Sequence, residues 1–254
     1  MMNVAERREF VLGLLSRRGE ASVAEISTAA GVSEMTVRRD LDALQRDGVL
    51  RRVHGGAITA ISRSYEPPFS VRATKALDAK RRIACAVAGL IDDGETLILD
   101  VGTTVLEVAR ALRGRRNLTV LTASLRILDL LADERDMTVM ATGGLLRARE
   151  LSFVGDLAER AFDELLFDSF VMGVGGMTLD AGLTEFNLDD ARVKKHAVSS
   201  ARRCIVAADS SKLGKVAFAR IAPIERVDVL VTDGDTNPEM LEAFRSADAE
   251  VVTV

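Results

Sequence analysis

Two short stretches of this chain bring hydrogen-bond donors together in patterns that suit phosphate-bearing partners. The first, SEMTVRRDLDALQRDGVLRRVHGGA at residues 33–57, holds five arginines, although the whole chain has a formal net charge of -4. The second, LILDVGTTVLEVA at residues 97–109, places a glycine and two threonines directly after an apolar run. A local basic patch on an acidic body can bind nucleic acid, and a glycine–hydroxyl turn that opens a helix can bind phosphate.

The first stretch predicts a helix that Ser33 caps and that runs to about Arg46. At 3.6 residues per turn, its apolar face consists of Val37, Leu41 and Leu44. The opposite and flanking faces carry Met35, Thr36, Arg38, Arg39, Asp42 and Arg46. In a DNA major groove, an arginine can make two hydrogen bonds to guanine, and an apolar group can contact a thymine methyl. The alternative is a solvated helix whose arginines pair with Asp40 and Asp42.

Local signals place this helix in a compact unit of three helices and a hairpin. Residues 5–18 show helical spacing of apolar residues, and Ser22 with Glu25 forms a capping box for a short second helix. After a turn predicted at Asp47–Gly48, residues 49–58 alternate like a hairpin, whose glycines would let the backbone approach DNA. This hairpin would form a wing along the phosphates. The predicted DNA contacts are Ser33, Met35, Thr36, Arg38, Arg39, Arg51, Arg52 and His54.

Polar or glycine-rich residues follow several predicted strands in the rest of the chain. In an open α/β sheet, ligands bind beyond the carboxyl ends of the strands, so these residues predict one shared pocket. The Gly-Thr-Thr turn would hold an anion, because a helix start offers unpaired N–H groups and a positive dipole end. The residues that we assign to the pocket on this ground are Asp100, Gly102, Thr103, Thr104, Thr122, Ser124, Gly143, Gly144, Gly173, Gly175, Asp209 and Lys212.

The elements that position these residues indicate an α/β protein with two domains. A strand–helix rhythm from about Lys80 onward predicts an open, mainly parallel sheet covered on both faces. Pro67 and Pro68 interrupt any helix before it and indicate a linker. We therefore predict a small DNA-binding domain at residues 1–58, a linker at residues 59–79 and a larger α/β domain at residues 80–254.

The composition narrows the class of protein. Of the 254 residues, 48% are hydrophobic and 28% are charged, which is typical of a folded protein with a core. The longest apolar runs are too short to span a bilayer, and the N-terminus lacks the pattern of a secretory signal. Cys85 and Cys204 have no metal-ligand spacing and predict two buried, reduced thiols. We expect a cytoplasmic protein with no metal and no cofactor.

The first stretch and the residues before it closely resemble the winged helix-turn-helix of DeoR-family transcriptional regulators. The run that carries the resemblance includes Ser33, Thr36 to Leu41, Leu44, Gly48, Arg51 and His54 to Gly56. The family implies a DNA-binding regulator, commonly a repressor, whose second domain resembles ribose-5-phosphate isomerase and binds a phosphorylated sugar. It implies that Gly102, Thr103 and Thr104 hold the phosphate, with Ser124 beside it and with positive charge from Lys194 and Lys212.

One position departs from the family pattern and bears on the choice between a regulator and an enzyme. Glu185 stands where a small hydroxyl residue often occurs, so it either contacts a different effector or pairs with Lys194. Lys194 itself could also lie on a solvated helix face beside Arg192 and Lys195. The competing hypothesis is a sugar-phosphate isomerase with an attached DNA-binding domain. Isomerisation needs a positioned base, and the turn at residues 173–176 contains no acid, which leaves Glu185 as the nearby candidate and favours the regulator.

The DNA-binding unit also predicts an assembly of several chains. One winged helix contacts too few bases for useful specificity, so we expect a homo-oligomer, either a dimer or a tetramer, on its operator.

Overall fold

The computed structural model describes residues 2–46, 49–59, 63–234 and 238–254. The chain divides into two compact units, Met1–Tyr65 and Glu66–Val254. The predicted fold class, a small winged helix-turn-helix followed by a larger parallel α/β sheet, is confirmed. In the described part of the chain, no helix combines the length and the apolar character needed to cross a membrane.

The N-terminal unit contains three helices and a three-stranded antiparallel sheet of order β1-β3-β2. Its elements are α1 (Val4–Arg18), β1 (Glu20–Ser22), α2 (Val23–Ala30), α3 (Glu34–Arg46), β2 (Leu50–Val53) and β3 (Gly56–Thr59). The predicted apolar face of α3 is buried against α1 and α2. The turn predicted at Asp47–Gly48 lies outside the described residues.

Caps and one buried carboxylate fix the helices of this unit. Ser22 and Glu25 form the predicted capping box, with Glu25 N donating to Ser22 Oγ at 3.2 Å and Ser22 N donating to Glu25 Oε2 at 2.7 Å. Asp40, which is buried on α3, pairs with Arg7 at 2.5 Å and Arg8 at 3.2 Å on α1. These arginines of α1 therefore hold the orientation of α3.

The second unit is built on seven parallel strands in the order β15-β14-β12-β9-β4-β5-β6. These strands are β4 (Thr96–Leu99), β5 (Leu118–Thr122), β6 (Met137–Ala141), β9 (Phe167–Met172), β12 (Ala201–Ala207), β14 (Val229–Thr232) and β15 (Glu250–Thr253). Alternate side chains enter two separate cores, since Leu97 and Leu99 belong to one and Ile98 to the other. Both faces of the sheet are therefore covered.

Helices and short strands complete this unit. Helices α5 (Leu77–Gly89), α6 (Thr103–Ala111) and α7 (Leu125–Leu131) contribute to the core on one face, and α8 (Asp156–Arg160), α9 (Leu188–Ser200) and α10 (Pro238–Ser246) to the core on the other. Short strands form a β7–β8 hairpin (Leu145–Arg147, Ser152–Val154) and a sheet of β10 (Gly176–Thr178), β11 (Gly182–Glu185) and β13 (Ala219–Ala222). A short helix, α4 (Phe69–Thr74), is the first element of this unit in the chain.

Two findings differ from what the sequence suggested. Helix α4 lies inside the predicted linker, and the residues from Glu66 onward pack within the second unit, because α4 lies against α6. The prediction of two buried thiols is wrong for Cys85, which lies on an exposed side of α5. It is confirmed for Cys204, where burial raises the pKa of the thiol to about 12.

Candidate functional site

The outer face of α3 presents the side chains that the sequence predicted for DNA contact. Met35 is 57% exposed, and Arg38 and Arg39 are also exposed. Arg38 pairs with Glu34 at 2.9 Å, whereas Arg39 has no partner among the residues that the structure describes. Ser33 caps the helix through a bond from Thr36 N to its Oγ at 3.3 Å. The predicted alternative, pairing of these arginines with Asp40 and Asp42, does not apply to Arg38 or Arg39.

The hairpin after α3 divides its two arginines between different environments. Arg51 is exposed, as is His54 at the turn. Arg52 instead points back to α3, where its Nη1 pairs with Asp42 Oδ1 at 2.6 Å. Position 56 requires glycine for a reason other than the predicted approach to DNA, because an added Cβ would lie 2.4 Å from the carbonyl oxygen of Ala21. Arg51 is therefore the arginine of the wing that is open to a partner.

A second concentration of polar groups forms a pocket at the carboxyl ends of the parallel strands. The pocket occupies about 490 Å³, counting space that is open to solvent. Its lining comes from the turns after β4, β9 and β12, from the turn between β7 and β8, from β11 and α9, and from the segment around α4. The polar and glycine residues of this lining are Glu66, Arg72, Gly102, Thr103, Thr104, Glu150, Gly173, Glu185, Asp190, Lys194 and Lys212.

The Gly-Thr-Thr turn opens directly into this pocket. Gly102 has a φ of 107°, a backbone conformation that favours glycine, and it precedes the first residue of α6. Among the described residues, no side chain caps this helix, and neither the Thr103 nor the Thr104 hydroxyl has a hydrogen-bond partner. The start of α6 therefore presents two hydroxyls and the unpaired N–H groups of a first helical turn to the pocket.

Beside this turn, Lys194 joins two buried carboxylates. Its Nζ lies 2.8 Å from Asp100 Oδ2 and 2.5 Å from Glu185 Oε2, and it also donates to the carbonyl oxygen of Gly173 at 2.8 Å. Lys194 is 2% exposed, so the alternative of a solvated helix face is wrong. The pairing of Glu185 with Lys194, which was the alternative to an effector contact, is confirmed. All three N–H donors of Lys194 are used within the protein.

This arrangement also defines the protonation of the cluster. Burial raises the pKa of Asp100 to about 6 even with Lys194 in contact. Burial also opposes the charge of Glu185, but Lys194 outweighs it and lowers the pKa of that carboxyl below its usual range. The pKa of Lys194 rises, because its two carboxylates outweigh the cost of burial. Glu185 is thus a weak base, already bonded to Lys194 and to the N–H of Phe186.

Other residues predicted for the pocket lie outside its lining. Thr122 and Ser124 bond to the local backbone, with Ser124 N donating to Thr122 Oγ1 at 3.0 Å and Ile127 N donating to Ser124 Oγ at 3.3 Å. Asp209 accepts from Ser211 N at 3.1 Å as the cap of a short 3-10 turn. The remaining predicted residues outside the lining are Asp100, which pairs with Lys194, and Gly143, Gly144 and Gly175. The structure therefore brings together the turns after β4, β9 and β12 more closely than those after β5 and β6.

A second ionic cluster, which the sequence did not predict, borders the pocket. Glu66, Arg72, Glu150 and Asp190 belong to the lining, and Arg147 lies outside it and pairs with two of them. Arg72 of α4 pairs with Glu66 at 2.9 Å and with Glu150, and Arg147 of β7 pairs with Glu66 at 2.9 Å and with Asp190. Apart from Arg72 and Glu66, the paired residues lie 43 to 81 positions apart in the chain, and no local spacing relates them. Burial raises the pKa of Glu150 to about 7, against the attraction of Arg72.

Replacing Glu150 with glutamine should alter the pH dependence of stability. Because the pKa of Glu150 is raised from 4.5 to about 7, the folded protein binds more protons than the unfolded chain within that window. Wild-type stability therefore falls as the pH rises through it, and Glu150→Gln removes this loss. Relative to the wild type, the variant should gain up to about 3 kcal/mol between pH 5 and pH 8, measured by urea unfolding. Glu164→Gln, at an exposed site, is the control, and a parallel pH profile for both variants would contradict the assignment.

Lys212 adds positive charge to the lining. Its Nζ lies 5.5 Å from the centre of the Phe186 ring. Burial lowers the pKa of Lys212, and burial also lowers the pKa of nearby Lys80 to about 8, with Lys212 and Arg72 adding to that shift. A bound anion would relieve both costs. In the described ranges, no group of three or more histidine, cysteine or carboxylate side chains is placed to hold a metal ion.

Comparison with known proteins gives matches over both units. The model of the DeoR-like helix-turn-helix domain matches residues 7–63, and the model of the DeoR C terminal sensor domain matches residues 75–234. The chain is 35% identical over 248 residues to the HTH-type transcriptional regulator GlpR of Haloferax volcanii, which covers 98% of this chain and 97% of that protein. It is 32% identical over 232 residues to the glycerol-3-phosphate regulon repressor of Escherichia coli K12, which covers 91% and 92%.

Among solved structures, ribose 5-phosphate isomerase A of Methanocaldococcus jannaschii superposes with a TM-score of 0.42 and 18% identity, covering 55% of each chain.

Proposed function

The chain belongs to the DeoR family of transcriptional regulators, and we propose that a phosphorylated sugar bound in the pocket controls its affinity for operator DNA. The N-terminal unit contains the DNA-binding domain of the family, and the second unit contains its sensor domain. The named relatives that cover nearly the whole chain are regulators or repressors, so the protein is a regulator and not an enzyme. We infer that it represses its target genes.

The observation that carries the proposal is the start of α6 in the pocket. Two threonine hydroxyls and the first N–H groups of a helix converge there without a capping side chain among the described residues. Such a set of donors, with the positive end of the helix dipole, suits a phosphate group. Lys212, whose pKa is lowered by burial, would gain from an anion beside it. The carboxylates of the lining would accept hydrogen bonds from sugar hydroxyls.

Thermal-shift measurements on the full chain test this proposal. Each phosphorylated sugar is compared with its unphosphorylated form, and a ligand at 100 times its Kd should add about 2.7 kcal/mol to the stability of the protein. The phosphorylated member of one pair should raise the midpoint and change operator affinity, while its partner should do neither. Equal shifts from both members would contradict a phosphate site. Unchanged concentrations of the sugars after long incubation would separate binding from turnover.

For the DNA interface, we expect Arg39→Ala to reduce sequence discrimination. Arg39 is exposed on α3 and has no partner within the described ranges, so it can reach a base edge. Loss of such a contact should cost about 1–3 kcal/mol on the best site selected from random DNA, and much less on non-specific DNA. Binding to both DNAs is measured by fluorescence anisotropy. An unchanged ratio of the two affinities would exclude base contact by Arg39.

Arg51→Ala is the matched comparison on the wing. A phosphate contact carries no sequence information, so this variant should weaken binding to selected and random DNA by the same factor. The slope of log affinity against log salt concentration should fall by about one. The effect of Arg52→Ala on DNA binding should match neither that of Arg39→Ala nor that of Arg51→Ala, because Arg52 pairs with Asp42 and links the wing to α3. A normal salt slope in Arg51→Ala would show that Arg51 does not contact phosphate.

We further infer that the regulator works as a homo-oligomer in the cytoplasm, where its DNA and a phosphorylated effector occur. A second recognition helix is needed for useful specificity. The second unit also exposes several large apolar side chains around β7 and α8, including Leu145, Leu157 and Leu166. A second copy of the chain is a suitable cover for them. Light scattering of the purified protein tests this inference, and a monomer on operator DNA would contradict it.

A further inference from the structure

The carboxylate of Glu66 occupies the pocket in the manner of a bound anion. Its Oε1 lies 2.9 Å from Arg72 Nη2, and its Oε2 lies 2.9 Å from Arg147 Nη1. Glu66 is also the first residue of the second unit, directly after Tyr65, the last residue of the DNA-binding unit. Guanidinium pairs of this kind bind carboxylates and phosphates alike, so the two arginines form a site for an anionic oxygen.

The two arginines keep their positions without Glu66. Arg72 donates from Nε to the carbonyl oxygen of Pro67 at 2.9 Å and pairs with Glu150, and Arg147 donates to Ser152 Oγ at 3.2 Å and pairs with Asp190. The side chains of Glu150 and Asp190 are 4% exposed, whereas that of Glu66 is 17% exposed. Glu66 is therefore the carboxylate of the cluster that solvent and ligand can reach.

The charge balance of the cluster also favours replacement of the Glu66 carboxylate by a ligand anion. Once Glu150, whose pKa is about 7, has lost its proton, the cluster holds three carboxylates, Glu66, Glu150 and Asp190, for two guanidinium groups. A ligand anion that entered the pocket with Glu66 in place would add to this excess of negative charge. An anion that replaced Glu66 would leave the balance unchanged. Replacing Glu66 with a ligand anion therefore costs less electrostatic free energy than binding the anion beside Glu66.

We propose that Arg72 and Arg147 are anion-binding residues of the pocket, that Glu66 occupies them as an internal ligand, and that an anionic effector displaces it. This inference rests on the proposed function, since it requires an anion in the same pocket. Helix α4, which carries Arg72, packs against α6, which carries the Thr103–Thr104 turn. Displacement would detach Glu66 at the point where the chain leads to the DNA-binding unit, which couples the pocket to that connection.

The affinity of the full chain for inorganic phosphate tests the competition. If Glu66 holds the arginines about nine-tenths of the time, the apparent Kd is about tenfold weaker than the intrinsic one. Glu66→Gln keeps the shape and removes the charge, so it should bind phosphate about tenfold more tightly by calorimetry. Glu225→Gln, at an exposed site in the same unit, should bind like the wild type. An affinity of Glu66→Gln equal to or weaker than that of the wild type overturns the proposal.

Hydrogen exchange on the wild-type protein gives a second readout that needs no variant. The amides of Val71 and Arg72 donate to the carbonyl oxygen of Pro68 at 3.0 Å each, and their exchange reports on α4. Phosphate should speed exchange there, because release of Glu66 frees the chain around Pro68, whose carbonyl oxygen accepts from both amides. It should slow exchange at residues 103–105. Slower exchange at residues 103–105 with no change at α4 overturns the displacement and leaves the phosphate site intact. No change at either place overturns both this proposal and the phosphate site.

Discussion

Lys194→Met should lower the free energy of unfolding by about 3–5 kcal/mol at pH 8, the largest loss that we expect from a single substitution in this chain. The ammonium group of Lys194 lies 2.8 Å from Asp100 and 2.5 Å from Glu185, and all three side chains are buried. Methionine fills a similar volume but leaves two carboxylates without a counter-charge. The measurement is urea unfolding of the full chain followed by circular dichroism.

The pH dependence of this loss distinguishes lost charge pairing from lost packing. Without Lys194, burial and mutual repulsion should raise the pKa values of both carboxyls, and that of Asp100 is already about 6 with the lysine present. The folded variant then binds more protons than its unfolded chain, so its stability should fall as the pH rises and recover towards pH 5. Lys195→Met, at the exposed neighbouring position, should stay within about 0.5 kcal/mol of the wild type. A loss that is equal at pH 5 and pH 8 would indicate packing alone.

The parallel sheet could be predicted because buried parallel strands are almost continuous apolar runs. Each of its seven strands contains at least two large apolar residues in succession, and the alternating helices fix the parallel direction. The sheet of β10, β11 and β13 could not be predicted, since none of its strands contains two large apolar residues in succession. Helix α4 was also missed, because six residues directly after Pro67 and Pro68 are too few to show helical periodicity.

The pocket residues that directly follow a parallel strand could be predicted. Those that depend on ion pairs between residues far apart in the chain could not. The Gly-Thr-Thr turn and Lys212 were identified because the ends of parallel strands share one edge of the sheet. Arg72 and Arg147 were not, since their carboxylate partners lie 78 and 43 positions away in the chain, at Glu150 and Asp190. No sequence spacing encodes such pairs.

The sequence around Lys194 does contain a signal that predicts its burial. Together with Ala191, Ala197 and Val198 it follows the i, i+3, i+6, i+7 spacing of one helix face, and those three residues are buried. A lysine on that face must be buried with a counter-charge. Its neighbours Arg192 and Lys195 fall on the exposed side. The position of Lys194 on the buried face of α9, rather than the charges beside it in the sequence, therefore predicts its burial.

The strongest test of function is the double substitution Thr103→Val and Thr104→Val. Valine keeps the shape and the branching at Cβ, and both threonines are buried, so the start of α6 should retain its conformation. The change removes two hydroxyls that have no partner within the described residues. Each charge-assisted hydrogen bond to a phosphate is worth about 1.5–3 kcal/mol, while the backbone N–H groups of α6 remain. The variant should therefore weaken the phosphorylated effector on the order of a hundredfold or more.

Operator binding and sugar binding should separate in this variant. It should fold and bind operator DNA like the wild type, yet stay on the DNA at effector concentrations that release the wild type. Calorimetry with a phosphosugar and its unphosphorylated form should show that the variant has lost the preference for the phosphate. Thr138→Val, at an exposed position of β6, controls for the loss of a hydroxyl elsewhere in the same unit. If the double variant still prefers the phosphorylated sugar as strongly as the wild type does, the phosphate binds elsewhere in the pocket, and Arg72 with Arg147 would be the next residues to substitute.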